Sequence, residues 1–266
     1  MKKFMIVTDM EGMPGVTCWD DVTVNTPEHD RFRLQLTSTV CAVCDMLKDT
    51  FGADTQIVVK DGHWTGRNIL YENIPSGVTL VTGKITDQPI VMEQMDSSYE
   101  GVIFLYFHAP SPTLGNPLAH TESDETYISF ELNGRLSSEL ELFAYEAAYI
   151  GVPVIAVIGD EYTCNEALSK EITKRTVVTK KSYGGSVASR SCSNILSDIQ
   201  KLFNNYKVKD NVCIKLPKKF DLQITYVNPI KAYHAAYFPG AELIAPNKIK
   251  IETESYYEIR RAMMFV

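Results

Sequence analysis

The sequence predicts an α/β protein: a mostly parallel sheet sandwiched between helices, followed by a smaller α+β unit at the C-terminal end. Short, wholly apolar runs alternate with helix-length periodic segments up to about residue 205, the pattern of parallel strands buried on both faces. After Tyr206 the texture changes to closely spaced strand-like segments. The expected units are therefore residues 1–205, carrying the chemistry, and 206–266. A chain of 266 residues has enough length to bury a substantial core in such an arrangement.

Each element has its own signal. Phe4–Val7 is an apolar run that ends in Thr8-Asp9-Met10-Glu11-Gly12. Thr26-Pro27 reads as a helix start, with Thr as N-cap and Pro in the first turn, and apolar periodicity continues through Leu34, Val40, Val43 and Leu47 towards Lys48. Gln56–Val59 is a second buried strand, ending in Asp61-Gly62-His63, and Val78–Val81 a third. Val102–Phe107 is a fourth and runs directly into His108. Ser111–Glu125, rich in Pro, Gly, Ser and Asp, must be a loop, and it contains His120. Tyr127–Leu132 alternates like a strand with one wet face and stops at the turn signal Asn133-Gly134. Ser138–Ile150 reads as a helix capped by Ser137 or Ser138 and closed by Gly151. Val152–Ile158 is a further buried strand, ending in Gly159-Asp160-Glu161. In the C-terminal unit, Val212–Leu216, Leu222–Val227, Glu242–Ile244 and Lys248–Glu252 read as strands, with helices near Ile230–Tyr237 and Ser255–Met264.

Composition excludes several classes. The 26 Lys+Arg against 33 Asp+Glu give a net charge of −7, and no basic stripe is present to neutralise phosphates, which argues against nucleic acid as a partner. Apolar runs such as Val102–Phe107 fall far short of the ~20 residues of a membrane-spanning helix. Phe4–Val7 is too short for the core of a signal peptide, so a cytoplasmic protein is expected. The six cysteines are scattered and are expected to be free thiols. Cys41 and Cys44 sit at helical spacing without a second pair and read as core packing rather than a zinc ribbon.

The polar residues at strand ends carry the chemistry. Open α/β sheets bind ligands at the carboxyl ends of their strands. Here those ends offer Asp9 and Glu11, Asp61 and His63, His108, then Asp160 and Glu161. Asp9 and Glu11 are two apart, so an extended backbone points both the same way, and so are Asp61 and His63. Glu139 lies in the first turn of its helix, where the dipole favours a carboxylate. One Asp or His at a strand end is most often a cap; four strand ends in one sheet agreeing on metal-binding types is a different matter. Two histidines and three carboxylates suit Zn²⁺, Mn²⁺ or Co²⁺. They exceed what one catalytic zinc needs, which suggests two metals sharing a carboxylate, roughly 3.5–4 Å apart, with a hydroxide between them. His120 is positioned in its loop to fold back over the metals, whereas His29 and His234 read as structural or interface residues. Asp61 and Asp160 are candidates to orient a ligand.

At these residues the sequence resembles the dinuclear-zinc D-aminopeptidase family, of the type found in bacterial dipeptide-transport operons. The matching pieces are Asp9-Met10-Glu11-Gly12, Asp61-Gly62-His63, His108-Ala109, His120-Thr121, Leu132-Asn133-Gly134, Ser138-Glu139-Leu140, Val152-Pro153-Val154 through Gly159-Asp160, Ser189-Arg190 and Phe238-Pro239-Gly240. The resemblance implies that Asp9 bridges two Zn²⁺ ions per subunit, that Glu11 and His63 complete one metal site and His108 and Glu139 the other, and that His120 is the catalytic histidine. It further implies release of N-terminal residues, often D-amino acids, from short peptides by a homo-oligomer, commonly a decamer. Pro110, Pro112 and Pro117 depart from the glycine-rich stretch usual between the two histidines, which bears on substrate choice. The rival readings are a dinuclear phosphoesterase, which lacks an accompanying Arg/Lys cluster here, and a non-catalytic peptide- or metal-binding relative.

Overall fold

The computed structural model describes residues 2–84, 92, 94–207, 211 and 213–266. In chain order its elements begin with β1 (Lys3–Thr8), α1 (Pro27–Phe51), β2 (Gln56–Asp61), β3 (Val78–Val81) and β4 (Gly101–Phe107). There follow β5 (Tyr127–Leu132), β6 (Arg135–Leu136), α2 (Glu139–Ile150), β7 (Val154–Gly159) and α3 (Glu161–Ser169). The chain continues through β8 (Thr176–Val178), the hairpin β9 (Lys180–Tyr183) and β10 (Ser186–Ser189), and α4 (Cys192–Asn204). It ends in β11 (Phe220–Tyr226), α5 (Pro229–Ala235), β12 (Ala241–Ala245), β13 (Lys248–Thr253) and α6 (Tyr256–Met263).

Six strands form one sheet in the order β3-β2-β1-β4-β7-β8, and every pairing in it is parallel. Its apolar strands are covered on one face by α1 and α4, whose Leu36, Val40, Val43, Ile195, Ile199 and Phe203 pack on Ile6, Val59 and Ile103. On the other face α2 and α3 bring Leu140, Ala144, Ala147 and Ala167 against Met5, Val7, Phe104 and Val157. The chain runs outward from β1 through β2 to β3, then returns to place β4 on the other side of β1. The carboxyl ends of β1 and β4 are thus the point where strand order reverses, where such sheets open a crevice.

A second, antiparallel sheet, β12-β13-β11-β5-β6, packs α5 and α6 around Leu222, Ile224, Ile249, Ile251 and Ile259. It is not confined to residues 206–266: β11 pairs with β5, so the strand predicted at Tyr127–Leu132 belongs to this layer. Helix α2 lies between the two sheets and sends Tyr145 into the second core. The strand expected over Val212–Leu216 is a correction. Val212 lies outside the described residues, and 213–216 form no strand. Ile214 and Leu216 instead pack their side chains against the neighbouring cores, and Pro217 follows at once.

The helix starts follow the capping rules. Thr26 accepts from the His29 amide at 3.1 Å and Ser138 from the Glu141 amide at 3.0 Å, while Gly151 closes α2 at φ 90°. All six cysteines are free. Ser138 is itself anchored, donating to Glu166 Oε2 at 2.6 Å. Lys170 Nζ lies 2.7 Å from both Glu166 Oε1 and Glu141 Oε2, an ion cluster largely shielded from water. Burial alone would lower the Lys170 pKa, but the charges of Glu166 and Glu141 raise it above the usual lysine range. A raised pKa means stabilisation fully present below that range and lost as pH rises through it. Lys170→Met, which leaves buried Glu166 with only Ser138 and Glu141 with only the more distant Arg135, should cost about 3 kcal/mol in urea unfolding at pH 7. The gap to the parent should begin to close above about pH 10.5 and disappear as pH passes the raised Lys170 pKa; equal midpoints at pH 7 would show that the cluster contributes nothing.

Candidate metal centre

The first constraint on the centre is backbone packing at the switch point. Tyr106, at φ 70°, makes a bulge in β4 that breaks its register with β7. Its hydroxyl turns away to Thr39 Oγ1 of α1 at 2.8 Å. The freed Tyr106 carbonyl accepts from the Gly12 amide at 2.8 Å, and the Leu105 carbonyl accepts from the Asp9 amide at 2.9 Å. A Cβ at Gly12 would fall 2.0 Å from the Phe107 oxygen, so only glycine lets the Asp9–Gly12 segment lie this close to β4. These contacts set Asp9 and Glu11 beside His108.

Five predicted ligands and His120 converge there. Asp9, Glu11 and His63 offer donor atoms all within 4.8 Å of one another, as do Asp9, His108 and Glu139. His63 Nδ1 lies 3.2 Å from Asp9 Oδ1 and 3.1 Å from Glu11 Oε2. His108 Nε2 lies 3.3 Å from Asp9 Oδ2 and 3.7 Å from Glu139 Oε1. Asp9 is therefore common to both groups. His120 stacks on His108 with ring centroids 4.3 Å apart, and its Nε2 lies 3.7 Å from Glu139 Oε1 and 3.9 Å from Glu11 Oε1.

Backbone carbonyls orient all three rings. His63 Nε2 pairs with the Val22 oxygen at 2.9 Å, His108 Nδ1 with that of Ala109 at 2.9 Å, and His120 Nδ1 with that of Leu118 at 3.0 Å. A carbonyl only accepts, so a proton belongs on each outer nitrogen, and the inner nitrogens, which face the carboxylates, are the ones left to ligate a cation. Asp9 Oδ2, Glu11 Oε2 and His108 Nε2 are buried without a hydrogen-bond partner. Anionic oxygens and imidazole nitrogens orphaned together fit a borderline divalent cation such as zinc.

Charge follows the same geometry. Burial would raise the Asp9 pKa, but His108 and His63 hold it well below the usual carboxylate range. Burial would lower His108, but the neighbouring Asp9 carboxylate, with Glu139 and Glu11, pushes it up to about 10. His63 rises for the same reason, against its burial, with Glu11 and Asp9 responsible. Burial pushes Glu139 up to about 8. His120 moves the other way: burial and the neighbouring His108 lower it, which keeps it a neutral imidazole.

The candidate orienting residues act one step out. Asp61 accepts from the Asn68 amide at 2.6 Å, Asn68 Nδ2 at 2.8 Å and the Ile69 amide at 2.9 Å, closing the loop that carries His63. Asn68 Nδ2 also donates to the His63 carbonyl at 2.8 Å, and its Oδ1 meets buried His29 Nε2 at 3.0 Å. His29 is thus structural, as expected, and supports the centre through Asn68. Asp160 caps α3 and holds the Ala109 amide at 3.0 Å and Asn116 Nδ2 at 2.7 Å, so it pins the loop after His108 rather than a ligand ring. Exposed His234 lies apart, on α5.

A cavity of about 870 Å³ opens over the centre, with Asp9, Glu11, His63, His120 and Glu139 in its wall beside Trp19, Trp64, Phe143 and Met263. Sequence reasoning missed Asn68, Arg260, which lines this cavity, and Lys180. Buried Lys180 donates to the carbonyls of Glu11 at 2.5 Å and Val16 at 2.7 Å. Lys180 sits in an ordinary Lys-Lys pair, and only tertiary contact distinguishes it from its exposed neighbour.

A parallel sheet gathering two overlapping carboxylate–imidazole groups at its switch point, under a peptide-sized cavity, defines a metal-dependent hydrolase centre. The sequence profile of the D-aminopeptidase family matches residues 1–265, and the chain belongs to that family. A D-aminopeptidase of Bacillus subtilis (strain 168) is 28% identical over 276 residues, covering 99% of this chain and 96% of the relative. The Zn-dependent D-aminopeptidase DppA from Bacillus subtilis, a self-compartmentalizing protease, shares the fold with a TM-score of 0.87. It does so at 24% identity, over 98% of this chain and 95% of that one.

The loop network yields a prediction. Asn68→Ala removes the bridge between Asp61, His29 and the His63 carbonyl. It should lower zinc affinity about 10–100-fold in a chelator competition while leaving the protein folded. An affinity equal to the parent's would show that His63 needs no such support.

Proposed function

We propose that this metal-dependent aminopeptidase releases the N-terminal residue, of D configuration, from short peptides, using two zinc ions per chain. The observation that carries the reading is the sharing of Asp9 by two buried donor groups, with three partnerless polar atoms among them. In this reading Asp9 bridges, Glu11 and His63 complete one site, and His108 and Glu139 complete the other. Zinc bound there supplies Lewis acidity, acidifying water and polarising the scissile carbonyl.

The chain's own residues do the rest. Asp124 and Glu125, acidic residues of the cavity wall outside the donor groups, offer negative charge to a substrate's free α-ammonium group, which favours exopeptidase action. Trp19, Trp64 and Phe143 line the cavity and offer apolar surface to a substrate side chain. His120 reaches the cavity with a neutral ring whose Nε2 faces the carboxylates. From there it can take a proton from the attacking water and return it to the leaving amine. His120 Nε2 also forms a possible donor group with Glu11 and His108, so a ligand role is the competing assignment. A phosphoesterase with the same ligands would need a cluster of unengaged cations, whereas among the described residues of the cavity wall Arg260 is paired with Glu146 and Glu122 and Lys60 donates to the Gly83 carbonyl, which leaves Lys84 as a lone cation. Homo-oligomeric assembly completes the reading, in keeping with the self-compartmentalizing neighbour, and the exposed Ile230 and Tyr233 on α5, with Tyr237 just past its end, offer apolar surface for it.

Zinc content and kcat measured on the same preparations test these roles. Glu139→Ala should lose chiefly one zinc per chain and Asp9→Ala should disturb both. His120→Ala should keep its zinc while kcat on a D-alanyl peptide falls about 10²–10⁴-fold. Zinc loss from His120→Ala would make it a ligand, and identical losses from Asp9→Ala and Glu139→Ala would remove the bridge.

A further inference from the structure

Arg260 stands in the cavity wall, on α6, with 5% of its surface exposed. Its Nε lies 3.2 Å from Glu146 Oε2 and its Nη1 lies 3.4 Å from Glu122 Oε1, and the guanidinium sits 5.3 Å from the Phe143 ring. Glu139, Phe143 and Glu146 are four and three residues apart on α2, so they form one stripe along that helix. Arg260 therefore lies along the stripe whose first member is the proposed zinc ligand Glu139.

Glu122 links the two. Its amide donates to Glu139 Oε1 at 2.7 Å, the same oxygen that faces His108 Nε2 and His120 Nε2. It does so at φ 65°, in the left-handed region that a residue with a Cβ enters only when its surroundings impose it. A tight turn, in which the Ser123 amide donates to the Thr121 carbonyl at 2.8 Å, holds the backbone there, and the Arg260 guanidinium holds the side-chain end. Glu122 also follows His120 by two positions, so the same tether governs the loop that carries the catalytic histidine.

We propose that Arg260 is a positioning residue: it holds the Glu122 side chain against α2, and thereby fixes the Glu122 amide on Glu139 Oε1 and the orientation of that carboxylate. The inference rests on the reading of Glu139 as a ligand and goes one residue layer beyond it. A direct role in gripping a substrate carboxylate fits less well, because Glu146 and Glu122 already face the guanidinium and neutralise it.

Two variants test the link without stranding a buried charge. Glu122→Ala removes a partly exposed side chain and leaves Arg260 paired with Glu146. Arg260→Met combined with Glu146→Gln removes both members of the buried pair. Each should lower zinc affinity, read by chelator competition on metal-free protein, by about 10–100-fold. Each should also lower kcat with KM nearly unchanged. The triple variant should be no worse than either, because both act through one contact, and Glu122→Gln, which keeps an acceptor for Arg260, should bring the affinity back towards the parent's. Parent-like zinc affinity and kcat in Glu122→Ala would overturn the proposal, whatever the fate of the double variant. A rise in KM alone in the double variant would also overturn it, by making Arg260 a substrate contact. Glu139→Ala is the control. If it keeps both zinc ions, the ligand reading itself fails; if it loses one while the Arg260 and Glu122 variants lose none, only the positioning role fails.

Discussion

Asp9, Glu11 and Glu139 bring three acidic groups together out of water, and the rest of the centre is arranged around what that costs. Two carboxylates about 4 Å apart repel by roughly 4 kcal/mol at an effective dielectric of about 20. Asp9 comes within 4.8 Å of both Glu11 and Glu139. Even one such repulsion is a large part of the stability of a folded domain, about 5–15 kcal/mol, and Glu139, pushed up to about 8, gives up charge to lessen it. The groups therefore demand positive charge. In the metal-free geometry the rings of His63 and His108 are drawn upward in pKa to provide it. A divalent cation held by these groups would meet the same demand more strongly and would leave the rings neutral, which is the electrostatic case for reading the cluster as a metal centre.

The parallel sheet makes this arrangement possible. Reversal of strand order between β1 and β4 opens the one place where the ends of β1, β2 and β4 can surround a ligand while the helices keep both faces covered. Rigid backbone contacts then set the spacing: the bulge at Tyr106, the close approach at Gly12, and the amides of Asp9 and Gly12 on β4 carbonyls. Glu139 arrives from a different layer. Its helix is buried between two sheets and capped by Ser138, which is tied in turn to the Glu141–Lys170–Glu166 cluster. The centre is thus held from both sheets at once.

The convergence of the strand-end side chains was legible because each follows an apolar run, and a parallel sheet sends the carboxyl ends of its strands to one edge. Asp9, Glu11, His63 and His108 come together for that reason. Glu139 was legible from its helix start, and His120 from its place in a loop beginning at His108. What the sequence hid depends on tertiary contact. The membership of β5 in the second sheet follows from pairing with β11, nearly a hundred residues away in the chain, which no local pattern encodes. Helix α4 carries Ile195, Ile199 and Phe203 at helical spacing, a signal present but crowded by the Gly-Gly hairpin and the polar residues before it. The segment at 213–216 has strand-like composition yet inserts Ile214 and Leu216 between cores instead of pairing. Asn68, Lys180 and Arg260 carry no motif; each matters through the backbone or side chain it meets.

The most direct test of this account is the thermal stability of metal-free protein as zinc is titrated in. Neutralising the buried carboxylates should raise the melting temperature, with the rise saturating near two equivalents per chain. At about a hundredfold excess over the dissociation constant the gain is about 2.7 kcal/mol per site, which for a chain of this size corresponds to roughly 5–10 °C. Asp9→Ala should lose most of that gain. A melting temperature that zinc leaves unchanged, or that rises equally in the parent and in Asp9→Ala, would contradict the claim that these carboxylates are gathered to hold metal.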